Sequence, residues 1–187
     1  MANKDAAFGL RPIGKVGQNR DAQGLSEYSI AANDSTTIYF CDPVKASTSG
    51  TVDTAAAGDT LLGSLNGVFY TDPTTKKPTW ANHYSQVNAS DTVAFVADDP
   101  YERFEIQCNS SFPSAAVFSN GDIAYTAGNS ANYVSKVELN RSTFVSTTAQ
   151  LRLIGVSKDV DNSDITEANA NVVVTINEHF LKQTTGI

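Results

Sequence analysis

Between Thr92 and Cys108 the chain passes from one hydrophobic pattern to another. Residues 92–97 are apolar on both alternating faces, with Val93, Phe95 and Ala97 on one and Ala94 and Val96 on the other. That pattern predicts a strand buried on both sides. Phe104, Ile106 and Cys108 then alternate with Arg103, Glu105 and Gln107, which predicts a strand with one dry face and one wet face. Asp98-Asp99-Pro100 lies between them. Proline has no amide to give to a ladder and disfavours helical geometry in the residue before it, so two strands meeting at a corner are expected. The remaining strands are read as packing around this pair, with Phe95, Phe104, Ile106, Leu153, Val174 and Ile176 as core.

Upstream, Tyr28, Ile30 and Ala32 alternate, and Asn33-Asp34-Ser35 turns the chain into a β-branched and aromatic run over 36–41. Asp42-Pro43 stops that run. The Ser/Thr/Ala-rich passage to Gly58 predicts surface loop with one short strand over 44–46. Two further runs, 60–70 and 79–87, are joined by Asp72-Pro73-Thr74-Thr75-Lys76-Lys77-Pro78, whose prolines and lysines suit an exposed hairpin tip. Trp80 follows the tip and is placed at the edge of the core. Residues 112–118 and 166–170 are the stretches that allow a turn of helix, and Asn120-Gly121-Asp122 has hairpin-turn chemistry. Strands over 123–126, 133–139, 151–156 and 172–180 complete the series. About ten short strands with almost no helix define an all-β chain, a single barrel or a jelly-roll-like sandwich.

The chain has 187 residues and a net charge of −7. A domain of this size buries roughly 70% of its extended surface and needs no disulfide. Cys41 and Cys108 lie in alternating patterns and are read as unpaired, buried, small apolar residues. The N-terminus carries charge without an apolar run behind it, and no stretch approaches the ~18 apolar residues of a membrane span. A soluble protein made in a cytoplasm is expected, with no membrane partner. Lys4, Arg11, Lys15 and Arg20 against Asp5 give the first twenty residues +3, which leaves −10 on the rest. An acidic body is a poor partner for a phosphate backbone, so no nucleic-acid partner is expected.

Residues 1–24 hold Gly9, Pro12, Gly14, Gly17 and Gly24, too many breakers for a helix, yet also Phe8, Leu10 and Ile13. They are read as an extended N-terminal arm, separate from a β domain over 25–187. The arm is expected to work outside its own domain. Phe8, Leu10 and Ile13 would enter apolar sockets on a neighbour while Arg11 and Arg20 pair with acidic groups there.

No constellation for catalysis is legible. The two histidines, His83 and His179, have no Gly-x-Ser-x-Gly elbow to serve, and neither cysteine has an adjacent basic residue to lower its pKa. A non-enzyme is expected, with no cofactor. His179 falls in an alternating strand and is read as a surface or interface residue. Asp159, Asp161, Ser163 and Glu167 fall at the first, third, fifth and ninth positions of a calcium loop. Asp164, however, replaces the required glycine and Ala170 the bidentate glutamate, so the stretch is not an EF-hand. A solvated acidic turn is the expectation, with a looser calcium site as its alternative. No zinc spacing is present.

Several pieces taken together carry a resemblance. They are Ala6-Ala7-Phe8-Gly9-Leu10-Arg11-Pro12, Gly67-Val68-Phe69-Tyr70-Thr71-Asp72-Pro73 leading to Lys77-Pro78-Thr79-Trp80, the Asp98-Asp99-Pro100 corner running into Phe104-Glu105-Ile106-Gln107, and the closing Val174-Thr175-Ile176-Asn177-Glu178-His179. In these patches, which span most of the chain, the sequence resembles small virion structural proteins of tailed phages. The resemblance implies a capsid decoration or cement protein on the outer surface of the shell, with the major capsid protein as partner and a homo-trimer as its form. The alternative is a β-barrel receptor- or glycan-binding module of a tail or fibre. Such a module wants exposed aromatics gathered on one face, for which Tyr84, Tyr101 and Tyr133 are the free side chains.

Overall fold

The break at Asp98-Asp99-Pro100 carries the chain from one antiparallel sheet into another. The structure, a computed structural model, describes residues 2–16 and 24–184. Its strands are β1 (Arg11–Lys15), β2 (Ser26–Ser29), β3 (Thr37–Ile38), β4 (Pro43–Ala46) and β5 (Val52–Thr54). They continue as β6 (Gly63–Thr71), β7 (Pro78–Ala81), β8 (Tyr84–Ser85), β9 (Val93–Ala97) and β10 (Glu102–Gln107). Last come β11 (Asn120–Gly121), β12 (Ile123–Ala124), β13 (Glu138–Leu139), β14 (Leu151–Val156) and β15 (Asn171–Ile176). The expected all-β class is what the chain adopts, with more and shorter strands than alternation suggests.

One sheet has five strands in the order β1-β10-β15-β14-β11. The other has six, β2-β9-β6-β4-β5 with β7 paired to β6, and two small pairs, β12-β13 and β3-β8, stand beside them. Each sheet owns a hydrophobic cluster. Phe104, Ile106, Leu151, Leu153, Val172 and Val174 fill the first, all with no exposure. Ile38, Val44, Leu65, Val68, Tyr84 and Val96 are equally buried in the second. Of the expected core, Phe104, Ile106, Leu153, Val174 and Ile176 are there.

Phe95 is not. The dry face of β9 carries Ala94 and Val96, while Phe95 is half-buried on the outer face, its ring 5.1 Å from that of Trp80. When both faces of a strand are apolar, alternation cannot say which one is covered. Trp80 is correspondingly 54% exposed rather than set into the core edge. It lies across Gly67, where a Cβ would stand 2.4 Å from the indole, so only glycine lets the ring approach the backbone so closely.

The arm also differs from expectation. Residues 2–16 belong to the domain: β1 pairs with β10, Arg11 opposite Glu105 and Pro12 opposite Phe104. Leu10 is fully buried in the first core, not carried to a neighbour. The chain reaches it through Gly9, whose φ of +77° no side chain adopts cheaply and where a Cβ would meet the Cys41 carbonyl at 2.2 Å. The N-terminal segment therefore covers the face of β10 predicted to be wet, and Glu105 and Gln107 are buried beneath it. Glu105 pairs with the Arg11 guanidinium. Gln107 accepts from the Ala6 amide and donates to the Lys4 carbonyl. The partner that covers β10 comes from some ninety residues upstream, beyond the reach of any local pattern.

Smaller readings are corrected as well. Asn120-Gly121 is a strand on β14 rather than a hairpin turn. The helical turn over 112–118 contracts to a 3-10 turn at Ser114–Ala116, and 166–170 is turn without helix. His179 is fully buried, not a surface residue, and its backbone bridges Leu61. Both cysteines are buried and free, as expected, with burial pushing the Cys41 thiol up to about 12 and the Cys108 thiol in the same direction.

Candidate partner-binding surfaces

Of the five side chains expected to meet a partner, the structure brings Phe8 and Arg11 together. The Arg11 guanidinium lies 4.3 Å above the Phe8 ring while also pairing with Glu105. Both are thereby held on the protein's own surface. Leu10 is in the core, Ile13 projects from β1 half-exposed, and Arg20 lies outside the described residues. The segment before them is fastened by amides: Asn3 Nδ2 donates to the Asp164 and Ala168 carbonyls, and Asn162 Nδ2 donates to the Lys4 carbonyl.

The acidic turn that mimics a calcium loop serves as the socket for this fastening. Asp161 pairs with Lys4 at 2.5 Å. The Asp159 carboxylate accepts from the Asp161 amide and from Asn171 Nδ2, which holds its pKa below the usual carboxylate range. Among the described residues, no three His, Cys, Asp or Glu side chains converge on a common point.

Two buried titratable groups stand apart. Asp42 accepts from the Tyr39 amide through Oδ2, and Oδ1 has no hydrogen-bond partner among the described residues. Burial pushes its pKa up to about 6, against the pull of the Ser135 hydroxyl and the Tyr39 amide. His179 Nδ1 accepts from the Leu181 amide, capping the 3-10 turn Phe180–Lys182, while Nε2 has no hydrogen-bond partner among the described residues. Burial, and then Lys182, push its pKa down to about 4, with Asp98 and Asp99 acting the other way. Both groups are spent on local structure.

Several large apolar side chains stand open to contact with other molecules. Trp80 and Phe69 face each other across β6 and β7 on the outer face of the six-stranded sheet, with Phe95 beside them. Phe118 is 75% exposed at a φ of +72°, a left-handed backbone costly for an aromatic residue, next to the edge strand β11. Val160 is 92% exposed in the acidic turn between β14 and β15. Tyr101 is exposed beneath Lys182, whose ammonium stands 4.8 Å from its ring. Of the tyrosines read as free, Tyr84 is buried and Tyr133 stacks on His83 at 3.6 Å.

Sequence reading missed Phe69, Trp80, Phe118 and Val160. Two of them had a signal: Val160 stands alone between Asp159 and Asp161, and Trp80 follows a solvated hairpin tip. Phe118 had none, because its exposure follows from a backbone angle. No family model, no curated protein and no solved structure matches this chain.

Proposed function

We propose that the protein is a non-enzymatic structural component of a phage virion that binds the outer surface of the capsid. It ties together subunits of the major capsid protein, as a homo-trimer with cyclic symmetry. The observation that carries this reading is the distribution of exposed large apolar side chains. They stand on several separate elements: Trp80 and Phe69 on one sheet face, Phe118 at a sheet edge, and Val160 in a distant turn. A cement protein touches several neighbours and needs several anchors, whereas a module for one ligand needs one. Trp is among the residue types enriched at the positions that dominate binding energy in protein interfaces, and Trp80, Phe69 and Phe95 stand together on one face. The resemblance to tailed-phage virion proteins supports the same reading, as does the use of the buried thiols, His179 and Asp42 in structural roles.

Co-sedimentation with expanded phage shells tests the reading. The protein is expected to saturate shell sites, and Trp80→Ala and Phe118→Ala are each expected to weaken binding about tenfold or more, as lost anchors do. Their melting temperatures should stay near the parent's, since both side chains are largely exposed. Failure to bind shells, together with saturable binding to a glycan array, would overturn it.

A further inference from the structure

The N-terminal segment has a second side. Residues 5–8 form one wall of a groove of about 650 Å³ whose other wall is the stretch from Thr126 to Glu138. Of the main-chain N–H and C=O groups of residues 5–8, only the Ala6 amide has a hydrogen-bond partner among the described residues, the Gln107 side chain. The other peptide groups form an unpaired edge. Unpaired main chain beside a cleft is a template for pairing with another strand.

Both walls are fixed in place. The near wall is pinned where Arg11 covers Phe8 and where Gly9 presses against the Cys41 carbonyl and Ser135. The far wall is pinned by the Phe40 amide donating to the Tyr133 carbonyl and the Ser135 amide donating to that of Phe40. Phe8 and Val134 offer apolar surface inside the groove. The charges there are Asp5, Glu138 and Lys136, with Lys136 exposed and Glu138 half-buried. Burial raises the pKa of Glu138, and the nearby Asp5 raises it further; a cation placed beside the two carboxylates would offset the repulsion between them.

We infer that this groove binds an extended peptide segment of a neighbouring polypeptide, which pairs with the main chain of residues 5–8 and sets a lysine or arginine between Asp5 and Glu138. The inference rests on the reading of the chain as a structural partner protein and names one of its seams. The carboxylate pair selects a basic side chain, the amides and carbonyls of residues 5–8 left unpaired among the described residues select an extended backbone, and Phe8 and Val134 select apolar residues on either side of the basic one.

The probe is the synthetic peptide acetyl-Val-Lys-Val-Thr-Val-amide, with acetyl-Val-Glu-Val-Thr-Val-amide as its counterpart, titrated into the full chain and followed by amide chemical shifts. The lysine peptide is expected to shift the signals of Asp5, Ala7 and Phe8 saturably and to bind about tenfold tighter than the glutamate peptide. Ala7→Pro removes an unpaired amide without removing a native hydrogen bond. It is expected to weaken the lysine peptide about tenfold while leaving the fold's other signals in place. Glu138→Gln, which keeps the shape and removes the charge, is expected to narrow the gap between the two peptides. Equal binding of both peptides, or no shift at residues 5–8 at millimolar peptide, overturns the inference. Shell binding is read separately: a protein that cements shells but ignores the peptide sinks this inference alone, and one that binds the peptide but not shells sinks only the proposed function.

Discussion

Phe104→Ala is expected to remove about 3 to 5 kcal/mol of stability, the range for deleting a large aromatic side chain from a well-packed core. The residue has no exposure and lies on β10, an inner strand of the five-stranded sheet, with Pro12 opposite on β1 and Val174 opposite on β15. Its ring is one of the largest in the first core. Alanine would leave a cavity that two flanking strands in fixed register cannot close, so the transfer and cavity terms add. Because domains are stable by only about 5 to 15 kcal/mol, the variant would be close to unfolding. Equilibrium urea denaturation measures the loss. A value under about 1 kcal/mol would mean that Phe104 does not face this core.

The second large effect is a change of pH dependence in Asp42→Asn. Asp42 has its pKa raised from 3.8 to about 6 in the fold, so the folded state binds a proton more tightly than the unfolded one. Its contribution is most favourable in acid and declines as pH rises between those two values. Above them it leaves a cost of about 3 kcal/mol for burying the charge, at 1.36 kcal/mol per pKa unit. His179 acts in the opposite sense. Its pKa falls from 6.5 to about 4, so its contribution is complete above the higher value and is lost as pH falls through the lower one. In the parent these two slopes oppose each other across the weakly acidic range. Asparagine keeps an acceptor for the Tyr39 amide and cannot ionise. The variant's stability relative to the parent should therefore improve by about 3 kcal/mol between about pH 4 and pH 7, exposing the rising slope of His179. Urea midpoints across that range decide it. A difference that stays constant with pH would show that Asp42 titrates as an ordinary carboxylate.

These residues also mark how far local pattern reaches. The corner at Asp98-Asp99-Pro100 was legible because its signals are local: a proline that cannot join a ladder, and alternation at Phe104, Ile106 and Cys108 that the core respects. The all-β class followed from the same periodicity. The burial of Glu105 and Gln107 was not legible, because the segment that covers them is remote in sequence and binds them through side-chain hydrogen bonds that no hydrophobic pattern encodes. Phe95 and Trp80 were placed inward because they are large and apolar. The sheet instead gives its dry face to Ala94 and Val96 and leaves the rings on its outer face. The arm was legible as non-helical and apolar in part, but its destination depended on Gly9, whose positive φ turns Leu10 into the protein's own core. His179 shows the same limit, since a strand pattern does not reveal the remote segment at Leu61 that its backbone bridges.

That several separate anchors engage at once is tested most directly by amide hydrogen exchange on the shell-bound protein against the free protein. Simultaneous protection is expected around Trp80, Phe118 and Val160, with the already buried strands β10 and β15 unchanged. Protection confined to one of these stretches, or absent from all three while the protein remains bound, would contradict a role in tying several shell subunits together.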